Sequence, residues 1–190
     1  SAASDVYKRQ KQYYFHLFSK KQPDLNWENP DVRQAVFDMM NWWFEKGIDG
    51  FRVDAITHIK KNFEAGDLPV PDGKKFAPAF DVDMNQPGIQ EWLQEMKDKS
   101  LSRYDIMTVG EANGVTPNDA EEWVGEEKGK FNMIFQFEHL GLWSTGDTKF
   151  DVKSYKQVLN RWQKQLENVG WNALFIENHD QPPVSYTHLT

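Results

Sequence analysis

Cysteine is absent from the 190 residues, which removes disulfides, thiolate nucleophiles and Cys-ligated zinc together and accords with a reducing, cytoplasmic setting. No apolar run approaches the roughly 20 residues that a membrane-crossing helix needs, and the mixed N-terminus lacks the apolar core of a secretory signal. A membrane is therefore not expected as a partner. Basic charge is also scarce: 22 Lys and Arg face 29 Asp and Glu, and a net charge of −7 repels a phosphate backbone, so nucleic acid is not expected either. His58 and His139 have no second His at metal-ligand spacing, and Asp81 and Asp83 alternate in a loop without the ring of oxygens that calcium takes. No metal and no cofactor are expected. What the chain does have is apolar and aromatic mass, 39% and 14% of its residues, which is ample for a buried core in one domain or a large piece of one.

Helical and strand patterns alternate. Asn29-Pro30-Asp31 supplies a cap, an N1 proline and an acidic first turn, and Val32, Ala35, Val36, Met39, Met40, Trp43 and Phe44 follow at helical spacing up to Gly47. Residues 48–54 then read as a short strand with an abrupt polar end. The step recurs. Ile89, Trp92, Leu93 and Met96 form a helical stripe before a strand at 104–111, and Thr116-Pro117 caps a helix before a strand at 131–135. Val152, Tyr155, Val158, Leu159, Trp162 and Leu166 form the last stripe, before a strand at 173–176. Such alternation implies parallel strands with crossover helices, so the fold class is α/β, either a doubly wound sheet or a barrel. Trp42, Trp43 and Trp162, on helical stripes, are expected in the core; Trp27, Phe137 and Trp143, near loops, are better placed to stack on a sugar. Gly66 to Pro87 is a long proline-rich insertion, and barrels place function in the loops that follow strands.

Three predicted strands end in carboxylates: Asp54, Glu111 and, after Glu177-Asn178-His179, Asp180. Strand ends of a parallel barrel open on one face, where these side chains can converge. Convergent carboxylates repel one another, and glycoside cleavage is a chemistry that requires them: one protonates the departing oxygen while another attacks the sugar carbon. Arg52, two residues before Asp54 on one side of a strand, can hold Asp54 ionised, as a nucleophile needs. Glu111 has no neighbouring cation in sequence and follows an apolar run, so desolvation and nearby Asp charges should keep it protonated, as a general acid needs.

The strings Gly50-Phe51-Arg52-Val53-Asp54-Ala55-Ile56, Val109-Gly110-Glu111 and Glu177-Asn178-His179-Asp180-Gln181-Pro182 resemble the second, third and fourth signature regions of the α-amylase family, in order. Gln22-Pro23-Asp24-Leu25-Asn26-Trp27 resembles the signature of its α-glucosidase and oligo-1,6-glucosidase group. The resemblance implies a retaining glycoside hydrolase with Asp54 as nucleophile, Glu111 as acid/base and Asp180 as the third acid gripping the sugar ring, accompanied by Arg52 and His179. It also implies part of a (β/α)8 TIM barrel, roughly strands 4 to 7 with their helices, and carboxyls ~5 Å apart. Position 55 resembles a linkage determinant: Val marks relatives that prefer α-1,6 bonds, so Ala55 points to α-1,4 cleavage of maltose and malto-oligosaccharides, with isomaltose a lesser substrate. The alternatives are an α-1,6-glucosidase and a trehalose-phosphate hydrolase. A rival of another class is a non-catalytic relative serving as an interaction domain, in which at least one of Asp54, Glu111 and Asp180 would be lost; all three are present.

The family's first signature region is absent, and Pro183 stands where the family has Arg. Residues 11–182 therefore read as a partial catalytic barrel that is inactive in isolation, with 1–10 a non-native leader and 183–190 a non-native tail.

Overall fold

The computed structural model describes residues 5–7, 12–66, 68–74, 77, 79, 80, 82–142 and 151–180. The chain divides into two units, residues 1–48 with 57–104, and residues 49–56 with 105–190. The tail at 183–190 lies outside the described residues, as do Asp81 and Trp143.

In the first unit, β1 (Asp5–Tyr7) pairs antiparallel with β2 (Gln12–Tyr14), so part of the expected leader forms a strand. Helix α1 (Pro30–Glu45) starts where Asn29 Oδ1 accepts the Asp31 N–H at 2.9 Å, and it ends before Gly47 at φ 90°. Phe37, Met40 and Phe44 form its buried face. The expectation that Trp42 and Trp43 lie in the core is corrected: they are 49% and 42% exposed. A helix rich in apolar residues on every side buries the single face its neighbours cover. The two indoles instead pack edge-on at 4.7 Å, and the Lys46 ammonium sits 4.4 Å over the Trp42 ring. Helix α2 (Ile89–Lys99) buries Ile89, Leu93 and Met96 and is tied to α1 by the Arg33–Glu95 ion pair at 2.6 Å.

The second unit holds a parallel sheet of order β3-β4-β5, from β3 (Gly50–Val53), β4 (Met107–Glu111) and β5 (Met133–Phe135). Asn132 Oδ1 accepts from the Thr108 N–H at 2.7 Å and from its hydroxyl at 3.1 Å, which fixes the β4–β5 register just below the strand pairing. The helix expected at Thr116-Pro117 starts later. Thr116 and Asp119 close a side-chain turn at 2.6 Å, and α3 (Ala120–Val124) follows it. Asp151 caps α4 (Val152–Leu166), whose Val158, Trp162 and Leu166 are buried at a spacing of four.

The strand expected at 173–176 does not form a sheet ladder. Leu174 and Ile176 are 65% and 53% exposed, while Phe175 packs its ring on Phe135 at 5.3 Å. Alternation sets which side chain faces inward, but a ladder also needs a neighbouring backbone in register.

Candidate active site

Parallel pairing brings the C-terminal ends of β3 and β4 to one edge, and that edge carries the carboxylates: Asp54 directly follows β3, and Glu111 ends β4. Arg52 shares a face with Asp54 by the two-residue period of a strand. Its Nη1 donates to Asp54 Oδ1 at 2.5 Å. Its Nη2 donates to Glu111 Oε1 at 2.8 Å. Arg52 sits opposite Val109 in the register, so Glu111 lies two residues further along β4, within reach of the guanidinium. One arginine thus serves both acids, which adjacency in sequence had offered to Asp54 alone. Ala55, with φ 43°, turns its N–H onto Glu111 Oε2 at 3.1 Å.

These contacts separate the two acids electrostatically. A hydrogen bond from Glu111 is the largest influence holding the Asp54 carboxyl below the usual aspartate range, and Arg52 and the nearby His179 reinforce it against some burial. Burial, then the hydrogen bond to Asp54, pushes Glu111 up, against the opposing pull of the Ala55 N–H and Arg52. Exposure runs the same way, with the Glu111 side chain 9% exposed and that of Asp54 72%. Of the two acids, Glu111 therefore keeps its proton to the higher pH and Asp54 ionises first. The two carboxyls are linked through the Arg52 guanidinium, which donates to an oxygen of each.

Beside them lies a cavity of about 150 Å³, walled by Phe135, Phe137 and Phe175 and edged by Glu177, Asn178 and His179. Arg52, Asp54, Ala55, Glu111 and His179 are thereby gathered in one place. Asp180 is not among the lining residues; its carboxylate pairs with His179 Nε2 at 3.1 Å, and both side chains are about two-thirds exposed. The aromatic wall was largely hidden in the sequence, because Phe135 and Phe175 read there as ordinary strand residues. Phe137 was visible as a loop aromatic. Trp27, a second of the three loop aromatics, stacks on Trp92 at 6.4 Å and packs against Phe37. His58 and His139 are buried, the first with Nδ1 2.9 Å from the Asp83 carbonyl oxygen, the second with Nδ1 2.9 Å from Gln136 Nε2. Among the described residues no group of three His, Asp or Glu is arranged to hold a metal ion, and no helix is long and apolar enough to cross a membrane.

Comparison with known proteins identifies the family. The family described as "Alpha amylase, catalytic domain" matches residues 4–188. The chain is 60% identical over 172 residues to the probable oligo-1,6-glucosidase 3 of Bacillus subtilis, a match covering 90% of this chain and 31% of the relative. It is 49% identical over 176 residues to the oligo-1,6-glucosidase of Parageobacillus thermoglucosidasius, again covering 90% and 31%. Among solved structures, trehalose-6-phosphate hydrolase from Bacillus licheniformis superposes with a TM-score of 0.81 at 38% identity, covering 97% of this chain and 33% of that one. The chain thus spans about a third of the length of the relatives it matches, and its parallel strands and flanking helices are part of their (β/α) barrel. With a family match along nearly all its length, the chain belongs to the α-amylase family of glycoside hydrolases, in the group of the oligo-1,6-glucosidases and α-glucosidases.

Proposed function

We propose that this chain carries the nucleophile and the acid/base of a retaining hydrolase of short α-glucosides. The observation that supports it is the pair Asp54 and Glu111 on one arginine, with pKa values driven in opposite directions. In the first step Asp54 Oδ attacks the anomeric carbon while Glu111 gives its proton to the departing glycosidic oxygen, leaving a glycosyl ester on Asp54. In the second, Glu111, now a carboxylate, takes a proton from water as the water oxygen displaces Asp54. Arg52 stays positive throughout and orients both acids. His179 and Asp180 supply hydrogen bonds to the sugar hydroxyls. Two inversions give net retention, so proton NMR of fresh product from an α-glucoside should show α-glucose first, and β-glucose appearing first would exclude a double displacement.

The pH dependence follows in sign. Activity requires Asp54 ionised, so the acid limb lies below the ordinary aspartate range; it requires Glu111 protonated, so the alkaline limb lies above the ordinary glutamate range. In the unsubstituted protein a natural α-glucoside should show both limbs, whereas glycosylation by a glucosyl fluoride, which leaves without a proton, should keep the acid limb alone. Retention of both limbs would assign the upper one to another group.

For linkage, the names of the relatives support α-1,6 cleavage over the α-1,4 preference expected from the small Ala55. We place α-1,6-linked oligosaccharides first and trehalose phosphate second, the latter supported by the structural likeness to trehalose-6-phosphate hydrolase. Ala55→Val in the full-length protein should raise the isomaltose-to-maltose ratio of kcat/KM by about 10-fold, because a β-branched side chain crowds a secondary leaving oxygen more than a CH₂. The same change should also lower stability, since position 55 at φ 43° lies in the left-handed region, where a β-branched side chain is more strained than Ala. A ratio that does not move would separate position 55 from linkage choice.

A further inference from the structure

Of all the asparagines in the chain, Asn113 alone is followed by glycine. The pair forms the tip of a tight turn just past Glu111. The Val115 N–H donates to the Ala112 carbonyl oxygen at 3.3 Å, and Gly114 takes φ 77°, the left-handed conformation of the third residue of a type II turn. Both ends of the turn are fixed: Ala112 is fully buried and its N–H donates to the Phe135 carbonyl oxygen at 3.0 Å, and Val115 is buried on the other side. The tip is open. Gly114 is exposed, Asn113 is half-buried, and among the described residues no hydrogen bond takes up the Gly114 N–H.

That combination is chemically labile. The backbone nitrogen of the residue after an asparagine can attack the side-chain amide, and glycine, having no Cβ, shields that nitrogen least. A bond forms between Gly114 N and Asn113 Cγ, and the Cγ–Nδ2 bond breaks. The side-chain nitrogen leaves as ammonia, taking the Gly114 amide proton with it. Water then opens the cyclic imide at one of its two carbonyls, which gives aspartate or, where the chain now runs through the former side chain, isoaspartate. Only water is consumed. Isoaspartate inserts a methylene into the backbone of a turn whose ends are held in the core, so the added length displaces Ala112, the neighbour of Glu111. We propose that Asn113-Gly114 is a site of spontaneous deamidation and isomerisation, and that isoaspartate there draws Glu111 away from Arg52 and the Ala55 N–H, so that the protein inactivates as it ages. The chemistry at Asn113 is independent of the hydrolase reading above; the loss of turnover rests on it.

The test follows the full-length protein through prolonged incubation at mildly alkaline pH. Trypsin releases residues 104–128 as one peptide, which carries Asn113 and also the exposed Asn118, followed by Asp119, as an internal comparison. Tandem mass spectrometry should show the amide-to-acid mass gain at Asn113 more than an order of magnitude faster than at Asn118, and an isoaspartyl methyltransferase should transfer labelled methyl groups to that peptide. Asn113→Gln, whose longer side chain closes the imide ring far more slowly, should take up no label there. Turnover of isomaltose should fall in step with the isoaspartyl fraction in the unsubstituted protein and hold steady in Asn113→Gln over the same period. An Asn113 that keeps its amide while a free peptide of residues 109–117 loses it, or equal rates at Asn113 and Asn118, overturns the site. Full turnover by protein carrying isoaspartate in most of its chains overturns the link to Glu111. Fresh protein that hydrolyses neither isomaltose nor p-nitrophenyl α-glucoside fails the hydrolase reading instead, while the mass gain and the methyl label still decide the site.

Discussion

Asp54→Asn in the full-length protein is expected to abolish turnover of every α-glucoside, activated or not, whereas Glu111→Gln should divide substrates by their leaving group. An amide at position 54 cannot form the glycosyl ester, so no first step remains for any substrate. An amide at position 111 cannot protonate a departing sugar, and natural oligosaccharides should lose about 10²–10⁴-fold in rate. A fluoride leaves without a proton, so its first step should survive while the second, which needs Glu111 as base, slows. A glucosyl fluoride assay of Glu111→Gln should therefore show a burst of one fluoride per enzyme followed by a slow phase, and mass spectrometry should detect the ester on the peptide carrying Asp54. A Glu111→Gln protein as inert toward the fluoride as Asp54→Asn would reverse or dissolve the two roles.

Gly50→Ala should be the most damaging single methyl that can be added near the site. Gly50 opens β3 at φ 151°, and a Cβ there would meet the Met107 carbonyl oxygen at 1.7 Å and its carbon at 2.7 Å. Met107 is Gly50's partner in the parallel ladder, and backbone atoms cannot rotate aside as a side chain can. The strands would have to part at the point from which Arg52 is aimed at Glu111 two residues later. We expect a loss of more than about 3 kcal/mol in denaturant unfolding, or failure to fold. Gly47→Ala is the internal comparison. Gly47 also has positive φ, at 90°, but nothing lies within 4 Å of its added Cβ, so only the backbone term of about 1–2 kcal/mol remains. Equal effects at the two positions would show that contact with Met107 is not what makes glycine necessary at 50.

Local chemistry was legible where it is written in neighbouring residues. The Asn29 cap and Gly47 bound α1, the stripe from Val152 to Leu166 became α4, and the runs ending at Asp54, Glu111 and Phe135 became the three strands of the sheet. The acids at two strand ends could be found for the same reason, since a strand's polar terminus is visible in its own sequence. Even the directions of the two pKa shifts could be argued from Arg52 beside Asp54 and from the apolar run before Glu111.

What needed the tertiary structure depends on which neighbours meet. Periodicity marks Trp42 and Trp43 as apolar on a helix, but only packing decides that Phe37, Met40 and Phe44 form the buried face. Alternation marks residues 173–176 as strand-like, but among the described residues no strand pairs with them, and Phe175 serves instead as an aromatic wall. The reach of Arg52 to Glu111, 59 positions away, comes from the β3–β4 register, which no local pattern encodes. Neighbouring residues are enough to mark which groups sit at strand ends and which charges flank them. That one guanidinium bridges Asp54 and Glu111 depends on the tertiary structure, because hydrogen bonds act over about 3 Å and require those two strands to lie side by side.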